Sequence, residues 1–120
     1  MKRYEKKESR ITIEEYQDFA LSTWVGSDSG RTAELRCILG VGEEAGELAG
    51  KIKKWYRGDY NDDTESFRED VQSEMGDLLW YIAQLHNIYD MLMEETMTKN
   101  VTKLLDRKER NVLRGSGDKR

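Results

Sequence analysis

Two groups of acidic residues have the spacing of a cation site. Glu43, Glu44 and Glu47 stand in the run Gly42-Glu-Glu-Ala-Gly-Glu-Leu48, and after 26 intervening residues come Glu74 and Asp77, in Glu74-Met-Gly-Asp77. On a helix, residues three apart lie on adjacent turns of one face. Each group then offers a carboxylate pair, Glu44 with Glu47 and Glu74 with Asp77. Four carboxylates drawn together repel one another unless cations sit between them. An all-oxygen ligand set suits Mg²⁺, or Mn²⁺ in its place, ions that keep some water and bridge to substrate phosphates. The competing reading is a solvated acidic face on a chain with 24 Asp and Glu in 120 residues.

A basic set answers the acidic one. Asn100, Lys103 and Arg107 are spaced i, i+3, i+7, so an amide, an ammonium and a guanidinium share one helical stripe. Arginine meets phosphate oxygens as a fork and lysine as a point charge. Lys51 and Lys54 extend the Glu44–Glu47 face by one and two turns. Ordinary i, i+4 pairing on exposed helices is the alternative for any one of these lysines. A carboxylate cage beside a basic stripe is nevertheless what a metal–polyphosphate ligand requires.

The elements that must position these groups are helical. No convincing alternating strand occurs, and no proline interrupts the helical patterns. Thr12-Ile-Glu-Glu15 reads as a capping box opening a first helix, with Tyr16, Phe19, Ala20 and Thr23 on one face. Val25 to Gly30 is turn chemistry. A second helix is expected from Thr32 to Trp55 or Tyr56, burying Ile38, Val41, Ala45, Leu48 and Ile52. After the polar loop Arg57–Asp63, Thr64 is the expected N-cap of a third helix burying Val71, Met75, Leu78, Leu79, Ile82 and Leu85. A fourth carries Met93, Met97, Val101, Leu104, Leu105 and Val112. At 100° per residue, Glu44 and Glu47 lie about 60° and 120° from the centre of their stripe, and Glu74 and Asp77 roughly 80° and 140° from theirs. The acids should therefore flank the core. The expected organisation is an extension at 1–11, a helical domain at 12–113 and a flexible tail at 114–120, folded as an all-α four-helix bundle.

Composition removes other chemistries. With one cysteine and one histidine, Cys37 and His86, an internal disulfide and a thiolate or imidazole metal site are excluded within one chain. Cys37 lies beside the core stripe and reads as packing. His86 has Ala83 three residues before it, so the Glu-x-x-His of di-iron bundles is missing. A net charge of −4 argues against a duplex nucleic-acid binder, and no run approaches the ~20 apolar residues of a membrane span. No Gly-rich phosphate loop or dinucleotide fingerprint appears. The expected setting is the reducing cytoplasm.

Taken in order, Glu-Glu-x-x-Glu at 43–47, Glu-x-x-Asp at 74–77, Asn100-x-x-Lys103-Leu-x-x-Arg107 and the Gly115-Ser-Gly-Asp118 tail resemble the MazG-like all-α nucleoside triphosphate pyrophosphohydrolases, over roughly residues 12 to 118. The resemblance implies Mg²⁺-dependent hydrolysis of a (deoxy)nucleoside triphosphate to its monophosphate and pyrophosphate, by a homodimer or homotetramer. It implies Glu44, Glu47, Glu74 and Asp77 as metal ligands and Asn100, Lys103 and Arg107 as phosphate-side residues. Water would attack the α-phosphorus while one motif glutamate, Glu43 or Glu47, accepts its proton. The choice between the two stays open. The alternatives are a phosphoribosyl-ATP pyrophosphohydrolase, or a helical module that binds nucleotide or regulates without turnover.

Tyr81 follows Asp77 by one turn and shares its stripe, so its ring is placed to meet a base; Trp24 and Trp55 are further candidates for the pocket wall. Core or interface packing is the competing role for each tryptophan. Gly42, Gly46 and Gly50 form an i, i+4, i+8 stripe, at a cost of about 1 kcal/mol each relative to alanine. Close approach of another helix or of ligand would compensate. That stripe, a lean core and surplus aromatics lead to the expectation of a subunit interface.

Overall fold

The computed structural model describes residues 10–120; residues 1–9, most of the expected extension, lie outside the described residues. Four helices and no strand occur among them: α1 (Ile13–Ser22), α2 (Gly30–Arg57), α3 (Thr64–Ile88) and α4 (Met93–Glu109). The all-α class is as expected.

Local chemistry sets the helix ends. The Glu15 amide donates to Thr12 Oγ1 at 3.1 Å and the Thr12 hydroxyl donates to the Glu15 carboxylate at 3.0 Å, opening α1. At the start of α3 the cap is Asp63 rather than Thr64, its carboxylate accepting from the Ser66 amide at 3.0 Å. An acidic side chain one residue earlier does the same work at the positive end of the helix. Gly58, in the left-handed region at φ 90°, closes α2. α4 stops at Glu109, so Val112 falls beyond it.

α2 and α3 form a long antiparallel hairpin, with α1 against α3 and α4 against α1. Aromatic packing seals the loop end of the hairpin: Trp55 stacks on Phe67 with centroids 4.7 Å apart, Tyr60 meets Phe67 edge-on, and the Tyr60 hydroxyl donates to Asp70 at 2.7 Å. A polar knot ties the opposite end. The Gln17 amide nitrogen donates to Asn87 Oδ1 at 2.9 Å and to the Met91 carbonyl at 2.8 Å, and its oxygen accepts from the Met93 amide at 2.9 Å. This knot fixes α1 to the α3–α4 junction, where Ala20, Ala83 and Met93 are buried against Ile13, Tyr16 and Trp80. His86 is part of the same junction, bonded to the Ile82 carbonyl and to the Thr96 hydroxyl, both at 2.8 Å.

The rotation of the helices differs from the expected stripes. On α2 the buried residues are Ala33, Cys37 and Gly40, while Ile38 is 51% exposed and Ile52 40%. On α3, Met75 and Leu79 are likewise exposed. Small side chains face inward because the two helices approach closely. A Cβ on Gly40 would clash with the Tyr81 ring. The glycines that do permit contact are therefore not Gly42, Gly46 and Gly50, around which the chain leaves open space. Large apolar side chains are left outside: Leu35, Ile38 and Leu39 on α2, and Met97, Val101, Leu104 and Leu105 on α4. The Cα radius of gyration is 17.5 Å, against about 14 Å for a compact domain of this length.

Candidate metal and phosphate site

The α2–α3 contact brings Glu44, Glu74 and Asp77 together, with one carboxylate oxygen of each within 4.8 Å of the others. Glu74 is buried at 8% exposure and Glu44 is half-buried. One oxygen of Glu44 and one of Glu74 are buried without any hydrogen-bond donor. The rotation of α2 explains this: with Cys37 and Gly40 inward, Glu44 follows on the same face and lands in the helix contact. Burial first, then a hydrogen bond with Glu74 and the negative charges of Asp77, Glu47 and Glu74, push the Glu44 carboxyl up to about 7.

A hard divalent cation fits this donor set. Oxygens about 2.1 Å from Mg²⁺ in octahedral array lie some 3 to 4 Å apart, compatible with the spacing of the trio. The two orphaned oxygens would gain a partner and the like charges a counterion.

Glu47 lies outside the trio and is exposed, although its charge is felt by Glu44. Glu43, its companion in the motif, is also exposed. α1 adds a residue that sequence reading assigned only to packing. The Tyr16 hydroxyl donates to the Gly76 carbonyl at 3.4 Å, and burial, then the charge of Asp77, raises its pKa. Spacing gave no sign of this, since Tyr16 and Asp77 are brought together only by helix packing.

Tyr81 and Trp24 belong to one aromatic patch beyond Asp77. Tyr81 meets Trp80 edge-on at 5.0 Å, and Trp80 stacks on Trp24 at 5.9 Å. The Trp80 indole donates to Thr23 at 2.8 Å, and the Arg36 guanidinium lies 4.3 Å from the centre of the Trp24 ring. Trp80 and Arg36 were not among the expected site residues. Trp55 instead packs in the aromatic seal at the loop end, 11 residues and about 16 Å along α2 from Glu44.

The basic residues are distributed in two places. Lys51 is half-buried, two turns from Glu44. Lys54 is exposed and close enough to Asp59 to help lower its pKa, behind the stronger effect of Arg57. On α4, Asn100 is exposed, whereas Lys103 and Arg107 converge on one carboxylate: Lys103 Nζ is 2.8 Å and Arg107 Nη2 3.2 Å from Asp118 Oδ1. Arg107 also donates to the Asp118 carbonyl. The segment 114–120, expected to be flexible, is thus placed against α4. Its glycines turn the chain at φ 145° (Gly115) and φ 84° (Gly117).

The features that bear on ligand chemistry are an acidic trio with Glu74 buried, Glu44 half-buried and Asp77 exposed, an aromatic patch beyond it and a basic helix. A family model of the MazG nucleotide pyrophosphohydrolase domain matches residues 33–112, and the chain belongs to that family. At that level it is a nucleotide pyrophosphohydrolase-type hydrolase. It is also similar to the Gene 37 protein of Mycobacterium phage L5, with 44% identity over 82 residues, covering 68% of this chain and 72% of the phage protein. No solved structure matches the chain significantly. Among the described residues no helix is long and apolar enough to cross a membrane.

Proposed function

We propose that the chain is a Mg²⁺-dependent nucleoside triphosphate pyrophosphohydrolase, releasing pyrophosphate and a (deoxy)nucleoside monophosphate. The observation that carries this reading is the Glu44–Glu74–Asp77 trio with its two donorless buried oxygens. A partly buried acidic group of this kind costs stability unless a cation occupies it, and Mg²⁺ suits its oxygen donors. Mn²⁺ has the same ligand preference.

Bound there, the cation would neutralise triphosphate charge and lower the pKa of the attacking water. Glu44, Glu74 and Asp77 would hold it. Glu47, exposed beside the trio, accepts the proton of the water, or Glu43 does so from the next position. Lys103 and Arg107, with Asn100 and Lys51, take the outer phosphates; Lys54, beside Asp59 at the loop end, stands apart from them. Tyr81 and Trp24, with Trp80, offer ring faces for the base, a contact that tolerates every base.

The working unit in this reading is a homo-oligomer. α4 packs on α1 rather than along α2, and exposed apolar residues run along α2, α3 and α4. A second copy laid on those stripes would bury them and enclose the site. The buried free thiol of Cys37 is in keeping with a reducing cytoplasmic setting.

The test is a panel of nucleoside triphosphates assayed for pyrophosphate against orthophosphate, with and without Mg²⁺. Pyrophosphate released only with Mg²⁺ is the expected result. Orthophosphate as the main product would overturn the assignment, and binding without turnover would favour a regulatory nucleotide-binding module.

A further inference from the structure

The segment 114–120 is folded with more specificity than a loose tail requires. The Arg120 guanidinium donates to three carbonyls, Val112 at 3.0 Å, Leu113 at 2.9 Å and Gly117 at 2.5 Å. The Arg110 guanidinium donates to the Arg120 main-chain oxygen at 2.8 Å. These bonds close the segment into a ring whose outward product is one carboxylate, that of Asp118.

That carboxylate does what a phosphate oxygen would do. Asp118 Oδ1 accepts from both Lys103 and Arg107. The Arg107 side chain is buried while Asp118 is 78% exposed, and the buried Arg107 Nε has no partner at all. The cationic side is thus held in place with donor capacity to spare, and the anionic side is open to water. Ion pairs with an exposed member contribute little to stability. A polyphosphate, carrying more charge and more acceptor oxygens than one carboxylate, would displace it and could also reach the free Nε.

We propose that Asp118 is a built-in placeholder on the Lys103–Arg107 anion site, released when a di- or triphosphate group takes those two cations. The segment 114–120 then acts as a latch that ligand must open. This deepens the phosphate-side role given to Lys103 and Arg107 above and rests on that role, but it does not require turnover.

The experiment measures binding of inorganic pyrophosphate to the full chain by calorimetry, without Mg²⁺, for the native protein, Asp118→Asn and Lys103→Ala/Asp118→Asn. Matching melting temperatures establish that the variants fold alike. Asp118→Asn is expected to bind about three- to fivefold more tightly, the factor set by loss of one weak competing ion pair. The double variant should lose that gain. Hydrogen exchange over residues 112–120 should quicken when native protein is saturated with pyrophosphate. Equal or weaker binding by Asp118→Asn would overturn the placeholder and leave Asp118 as a positioning group. Failure of the nucleotide panel with tighter pyrophosphate binding by Asp118→Asn would sink the enzyme reading and keep the latch.

Discussion

Two regions along α3, one against α1 and one against α2, bury polar side chains in opposite ways. At the α3–α4 junction Gln17 meets Asn87, Met91 and Met93 with both of its polar atoms used. About three turns away along α3, Glu74 and its neighbour Glu44 bury oxygens that nothing donates to. Burying a satisfied amide costs little and fixes helix orientation, whereas burying unpaired carboxylates costs stability and is explained by a missing positive charge. One cluster is satisfied within the fold; the other keeps donorless acidic oxygens, which the proposed cation would satisfy.

The largest effect that would break this contrast lies on the acidic side. Glu74→Gln and Asp77→Ala should each lower Mg²⁺-dependent pyrophosphate release by on the order of 10³-fold, the scale of lost metal stabilisation. Glu74→Gln should melt no lower than the native protein in chelator, because it removes a buried repulsion. Near-native turnover with either variant folded would remove the trio from the site. Gln17→Ala should behave in reverse, losing about 2–3 kcal/mol in urea unfolding through the partners it strands. Its turnover per folded molecule should stay within about twofold. A loss of activity without loss of stability would make the knot part of the site.

A smaller effect follows from the raised Glu44 carboxyl. Its folded-state value of about 7 lies above the ordinary 4.5, so between those values the folded chain binds more protons than the unfolded one. Stability from this group is full below about 4.5 and is lost as pH rises through 7. In chelator the melting temperature should fall by a few degrees from pH 5 to pH 8. Glu44→Gln should flatten that slope, and Mg²⁺ should raise the melting temperature more at pH 8 than at pH 5. Asp63 and Asp118, whose values are lowered by their partners, lose their contribution only as pH drops through the acid range below this window. A melting curve independent of pH in chelator would remove the strained-carboxylate account.

The smallest expected change is at Lys54. Placed by Asp59 at the loop end, Lys54→Ala should alter turnover by less than about twofold. Lys103→Ala should weaken substrate binding by roughly tenfold. Equal losses would put Lys54 on the phosphates after all.

Helix existence and the motif spacing were legible in the sequence, because 3.6-residue periodicity and capping chemistry are local. Thr12, the turn before α2 and the polar loop before α3 mark element ends within a few residues. That the two acidic groups face each other was also legible, since spacing on two neighbouring helices constrains which turns can meet, but the exclusion of Glu47 from the trio was not. The rotational phase of α2 was not. Apolar residues occupy more than one face of that helix, and periodicity cannot distinguish a face buried within the chain from one left for another copy. Gly40 against Tyr81 decided it, by letting the helices come close enough that Ala33 and Cys37, not Ile38 and Ile52, turn inward.

By itself, then, the sequence determined an all-helical chain, four acids in two helical pairs and a basic stripe that suits polyphosphate. The tertiary structure decided which acids meet, that Tyr16 stands beside Asp77, and that Asp118 already occupies two of the cations. Those contacts join residues on different elements, so only the packed arrangement of those elements selects them.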